Sequence, residues 1–100
     1  MSDEYIYKKV VETWGEESQL NQVVEEMGEL IQALSKFRRA DTKKKKVKAY
    51  ANVCEEVADV QNMINQLKFM FDAELIEKIK KEKLERTMRR IKRTEKKIRI

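Results

Sequence analysis

The sequence predicts an all-α fold, a helical bundle with two long antiparallel helices, a shorter N-terminal helix and a basic C-terminal helix. Three observations predict it. Pro is absent and Gly occurs twice in 100 residues, so little interrupts a helical run. The composition is 41% charged and rich in Glu, Lys, Leu and Ile, the residues of helical domains. Apolar residues recur at three- and four-residue spacing through successive segments. One hundred residues make a single domain, 1–100, with 92–100 expected as a frayed basic tail. So short a chain buries a thin core, and self-association would complete the bundle.

The elements follow in order. Ile6, Val10, Val11 and Trp14 give a short amphipathic helix from Tyr5, stopped by Gly15 just past its end. Glu16 and Glu17 suit the first turn of the next helix, where the dipole favours negative charge. That helix should run to Ala40. Leu20, Val23, Val24, Met27, Leu30, Ile31, Leu34 and Phe37 form its apolar stripe, roughly 140° wide at 100° per residue. Asp41-Thr42 breaks the pattern and offers a cap, with Lys43–Lys46 as a polar connector or frayed first turn. A third helix, Val47 to Phe71, carries Tyr50, Val53, Cys54, Val57, Val60, Ile64, Leu67 and Phe71 on its stripe. Asp72 caps a last helix, Ala73 to Ile98, whose apolar face is narrow and interrupted at Lys80–Lys83.

Composition excludes several function classes. No apolar run approaches 18 residues, so no membrane span is expected. The start, Met1-Ser2-Asp3-Glu4, is acidic, and the single Cys54 forms no internal disulfide, which makes the cytoplasm the expected compartment. The absence of His removes histidine metal sites and histidine bases. Residues 73–100 hold 12 Lys/Arg against 5 Asp/Glu, whereas residues 1–72 hold 11 against 13, so a basic C-terminal part follows a mildly acidic one.

Two acidic sextets stand thirty residues apart: Glu25-Glu26-Met27-Gly28-Glu29-Leu30 and Glu55-Glu56-Val57-Ala58-Asp59-Val60. Each places two carboxylates at i and i+3, on one side of a helix. Glu26 and Glu56 fall at the edges of their stripes, with Glu29, Gln19 and Gln22 beside the first and Asp59 and Asn52 beside the second. Glu25 and Glu55 turn further outward, and Asn62 falls off the carboxylate border on the helical wheel. One such motif is ordinarily a solvated helix face. Two matched motifs on helices joined by a short turn can meet along one edge. An all-oxygen site of that kind selects Mg²⁺ or Mn²⁺ over zinc and suits hydrolysis of phosphate esters or phosphoanhydrides.

Glu26-x-x-Glu29, 26 intervening residues, and Glu56-x-x-Asp59 resemble the signature of the all-α nucleoside triphosphate pyrophosphohydrolases. Trp14-Gly15-Glu16-Glu17-Ser18-Gln19-Leu20, Ala33, Lys36 and Lys83-Leu84-Glu85-Arg86 resemble the MazG-like branch, and the resemblance covers roughly residues 5–92. It implies a single MazG-like all-α domain that hydrolyses (d)NTPs to the monophosphate and pyrophosphate, a role in nucleotide-pool housekeeping. By the same resemblance Glu26, Glu29, Glu56 and Asp59 hold Mg²⁺ (Mn²⁺ as an alternative) and form the catalytic set. Lys36 contacts phosphate, and Gln19 and Gln22 contact substrate or support the ligands. A homodimer or homotetramer is expected, both from the wide stripes and from the resemblance.

Two other readings compete. Arg86, Arg89, Arg90, Arg93, Lys96, Lys97 and Arg99 could bind nucleic-acid phosphates. Against this, the segment lacks interleaved aromatics and helix-turn-helix spacing. A catalytically inactive helical interaction module is the third reading, and it leaves the repeated carboxylates unexplained.

Overall fold

A computed structural model describes residues 1–99. It contains four α-helices and, among the described residues, no strand: α1 (Asp3–Trp14), α2 (Glu16–Arg39), α3 (Lys43–Met70) and α4 (Ala73–Ile98). The chain divides into two units, Met1–Met70 and the segment from Phe71 onward. No helix among the described residues is long and apolar enough to cross a membrane.

Each helix end has a local cause. Ser2 Oγ accepts the Tyr5 N–H at 3.2 Å, and Asp3 and Glu4 occupy the first turn of α1. At the other end the Gly15 N–H donates to the Val11 carbonyl at 2.8 Å. Gly15 has φ 89 and ψ 155, a conformation essentially reserved for glycine. Its own carbonyl accepts the Gln19 N–H at 3.2 Å, so one residue ends α1 and starts α2.

The α2–α3 connection is equally tight. Thr42 Oγ1 accepts the Lys45 N–H, and Lys45 pairs with Asp41, both at 3.2 Å. Lys46 Nζ donates to the Phe37 carbonyl at 2.8 Å and lies 4.2 Å from the Phe37 ring centroid. Lys43–Lys46, read from sequence as a connector or frayed turn, is thus the ordered first turn of α3. Its charges oppose the helix dipole, but two of them are held by Asp41 and by the exposed end of α2. The tilted Phe37–Tyr50 ring pair, centroids 6.3 Å apart, lies at the same end, with Tyr50 still largely open to solvent. Phe37 therefore meets Lys46 and Tyr50 while Glu26 and Glu29 meet Glu56, which makes α2 and α3 antiparallel.

Packing within the first unit is dominated by α2 on α3, with α1 laid against both. Its core is thin: Val23, Ala33 and Val60 are buried, together with the polar Gln19 and Gln66. The direction of the seam departs from the sequence expectation. The wheel puts the middle of the apolar stripe inward and Glu26 at its edge. Instead the seam on α2 runs through Gln19, Val23, Glu26, Leu30, Ala33 and Phe37. Leu20, Val24, Met27, Ile31 and Leu34 lie exposed, Val24 at 71% and Ile31 at 68%. Helix α3 is turned the same way, with Val53, Glu56, Val60, Met63 and Leu67 inward and Val47, Tyr50 and Val57 outward. Each helix is rotated by roughly a quarter turn from the stripe's centre, at 3.6 residues per turn. The acids therefore lie in the groove between the helices rather than at its margin.

Within the second unit, Asp72 Oδ1 accepts the Leu75 N–H at 3.0 Å and caps α4, as the sequence leads one to expect. Helix α4 continues to Ile98, so the residues expected as a frayed tail, Lys92–Ile98, form its last turns, while Ile100 lies outside the described residues.

Candidate functional site

The α2–α3 seam brings three of the four motif acids together. One carboxylate oxygen each from Glu26, Glu29 and Glu56 lies within 4.8 Å of the others. Glu26 and Glu29 are one turn apart on α2, and Glu56 reaches them from α3. Asp59 stands one turn further along α3, outside that triad. With Glu26 it lines a cavity of about 380 Å³ between α1, α2 and α3. Glu25 and Glu55 are exposed, in keeping with their outward placement on the wheel.

Electrostatics show the strain of this arrangement. The Glu29 carboxyl is pushed above its ordinary value, first by the charge of Glu26, then by burial and by Glu56. Glu56 is pushed the same way, first by burial, then by Asp59 and Glu26. Gln22 Nε2 donates to Glu26 Oε1 at 2.9 Å and orients that carboxylate. The second oxygens fare differently: Glu26 Oε2 and Glu56 Oε2 are buried and have no hydrogen-bond partner among the described residues. Buried polar atoms are ordinarily satisfied. A hard divalent cation would satisfy both oxygens and cancel the mutual repulsion, and an all-oxygen donor set fits Mg²⁺ or Mn²⁺.

The remaining sequence candidates are placed as follows. Gln22 supports Glu26 rather than standing free. Gln19 is buried, 6% exposed, which leaves it little surface to offer a ligand. Lys36 is exposed and lies about two turns beyond Glu29 on α2. There it joins Arg39, Lys45 and Lys48 around a half-open cleft of about 700 Å³ that also touches Asn52 and Glu55. This concentration of cations was not apparent from sequence, because Arg39, Lys45 and Lys48 fall in three different segments, the second helix, the connector and the third helix, which only the folded hairpin brings together.

Sequence reasoning also passed over Tyr7, Asn62 and Gln66, which line the cavity that holds Glu26 and Asp59. Asn62, placed off the border on the wheel, in fact shares that cavity with Asp59. A signal existed, since Asp59, Asn62 and Gln66 stand at i, i+3 and i+7 and share a helix face. The Tyr7 O–H donates to Asn62 Oδ1 at 2.8 Å across 55 residues of chain, a contact no local pattern announces.

The raised carboxyls set a pH dependence. They bind protons more tightly in the folded chain than in the unfolded one. Their stabilising contribution is therefore full below the ordinary value of 4.5 and is lost as pH rises through the raised values. In chelator-treated protein, the thermal midpoint of the Glu29→Gln/Glu56→Gln variant should rise relative to wild type as pH increases from about 4.5 towards neutrality. Excess Mg²⁺ should narrow that gap by stabilising wild type alone. Thermal melts across pH, with and without Mg²⁺, read both effects, and a gap independent of pH would contradict the assignment.

No protein-family model, curated protein or solved structure matches this chain.

Proposed function

We propose that this chain is a Mg²⁺-dependent nucleoside triphosphate pyrophosphohydrolase that converts (d)NTPs to the monophosphate and pyrophosphate. The observation that carries the reading is the convergence of Glu26, Glu29 and Glu56 within 4.8 Å, with two buried carboxylate oxygens left without a donor among the described residues. Matched acidic pairs across a helix hairpin are also what the MazG-like resemblance rests on.

In this reading Glu26, Glu29 and Glu56 hold the cation, and Asp59 adds the fourth carboxylate from the next turn of α3. Bound there, Mg²⁺ supplies charge neutralisation for a polyphosphate and acidifies a water molecule. Gln22 keeps Glu26 in its ligating rotamer through the 2.9 Å hydrogen bond. Lys36, with Arg39 and Lys48 beside it, offers point charges to phosphate oxygens at the hairpin end of the seam. The chain contains no His, so proton acceptance falls to a carboxylate or to solvent.

The outer apolar faces bear on assembly. Leu20, Val24, Met27, Ile31 and Leu34 on α2, and Val47, Tyr50 and Val57 on α3, are exposed in one chain. Large apolar side chains exposed in such number along two packed helices suit an association face. A homodimer or homotetramer that buries it belongs to the proposal. Sedimentation should then give a mass at least twice 12.0 kDa at micromolar concentration, and a monomer would contradict it.

Turnover tests the activity. Pyrophosphate release from a (d)NTP panel with Mg²⁺ should be seen for wild type and abolished in Glu26→Ala and Asp59→Ala. Gln22→Ala should lose about 10-fold to 100-fold, recoverable in part by raising Mg²⁺, because it acts through a ligand. Unchanged turnover in both acid variants would overturn the site. No turnover of any nucleotide by wild type would overturn the enzyme. Salt-sensitive binding to duplex DNA in its place would favour the basic α4 as a nucleic-acid surface.

A further inference from the structure

Helix α4 is the most strongly amphipathic of the four helices, yet it buries none of its residues. Its C-terminal half sorts its side chains by chemistry. At 100° per residue, Leu84, Met88, Ile91 and Ile98 fall within an arc of about 80°. All four are exposed, from 43% for Ile91 to 78% for Ile98. Leu75, Ile76 and Ile79, nearer the start, lie roughly a third of a turn away. Residues 80–83 thus divide two apolar bands, and the second stands by itself.

The charges around the second band are almost all of one sign. Residues 86–99 hold 8 Lys/Arg against 1 Asp/Glu. Lys92 and Arg99 border the band on one side. Thr87 and Thr94 border it on the other, followed by Arg90 and Lys97. The Thr87 and Thr94 hydroxyls donate to the Lys83 and Arg90 carbonyls at 2.9 and 3.0 Å, which satisfies them within the helix and leaves their methyl groups to widen the band. Arg90, Arg93 and Lys97 gather with Thr94 around one shallow hollow, a place for a phosphate group. The single acid, Glu95, falls inside the arc and is the one feature that opposes an anionic surface.

Three surfaces compete for this face. Nucleic acid matches the cations, but it offers nothing to a row of aliphatic side chains, and α4 has no aromatic residue on which a base could stack. A second copy of α4 brings the same cations, so pairing of the two is opposed by like charge. The exposed face of α3 in a second copy starts beside the lysines of residues 43–48 and repels α4 in the same way. An anionic lipid surface supplies both complements at once. Acyl chains receive the aliphatic row, and lipid phosphates receive the flanking cations, whose long side chains reach up to headgroup level.

We propose that the C-terminal half of α4 is a peripheral docking helix that lies in the headgroup layer of an anionic membrane, with Leu84, Met88, Ile91 and Ile98 towards the acyl chains. The proposal is independent of the hydrolase reading, and its test needs no turnover. The full chain is sedimented with vesicles of phosphatidylcholine alone and with vesicles that also contain phosphatidylglycerol. It should bind the mixed vesicles, less so as salt is raised, and leave the neutral ones. Met88→Gln/Ile91→Gln keeps the charge and substitutes a good helix former at exposed positions, so the helix content read by circular dichroism should hold. This variant should weaken vesicle binding by at least about tenfold. Arg90→Gln/Arg93→Gln/Lys97→Gln should weaken it as well, and Glu95→Gln should tighten it. Equal binding to neutral and mixed vesicles, or binding that Met88→Gln/Ile91→Gln leaves untouched, would overturn the docked band. Absence of binding to either vesicle would overturn it too. In that event, duplex DNA binding that survives Met88→Gln/Ile91→Gln would assign the face to nucleic acid, and a sedimentation mass that falls in this variant would assign it to a second copy.

Discussion

Two carboxylates, Glu26 and Glu56, share the seam between α2 and α3, where an ordinary helix pair would place Leu or Ile, and Glu29 adjoins them. Most of the first unit follows from that constraint. Like charges within 4.8 Å repel, and the burial that packs the helices around them raises the cost further. The hairpin must therefore be secured elsewhere. It is secured at its closed end by Thr42, the Lys46–Phe37 carbonyl bond and the Phe37–Tyr50 rings, and along its length by Val23, Ala33 and Val60. Small buried residues such as Ala33 let the two backbones approach, and that approach keeps the acids together. Helix α1 completes the arrangement: Gly15 folds it back in a single residue, and the Tyr7–Asn62 bond fastens it to α3.

How much of this was legible depends on the range of the interaction. The four helices and the stops at Gly15, Asp41-Thr42 and Asp72 were readable, because caps and breakers act over three or four residues. The pairing of the two sextets was readable as a repeat. The rotation of the seam was not. An apolar stripe about 140° wide satisfies a sister helix on one side and an outer partner on the other, and periodicity does not say which half faces which. The half containing Glu26 and Glu56 turned inward, leaving Val24 and Ile31 outside. Asn62 falls off the carboxylate border on the wheel, and its partner Tyr7 lies 55 residues away in sequence, beyond the reach of any local pattern.

The structure orders its charges along a line. Cations gather where the hairpin closes and acids at its middle, and under α1 the carboxamides of Asn62 and Gln66 stand among Asp3, Glu26 and Asp59. Two of these zones lack something that one ligand provides: anions for the lysines and a divalent cation for the acids. A magnesium-bound triphosphate has both, which is why the proposed hydrolase reading draws on the cationic cleft as well as on the acidic motifs.

The central claim is that the acidic seam is a cation site and not a solvated helix face. Calorimetric titration of Mn²⁺ into the chelator-treated protein tests it most directly. The account predicts saturable binding with at least one ion per chain. That binding should be lost in Glu26→Gln/Glu56→Gln, although this variant removes repulsion and should fold at least as well as wild type. Binding absent from wild type, or equally strong in the variant, would contradict it.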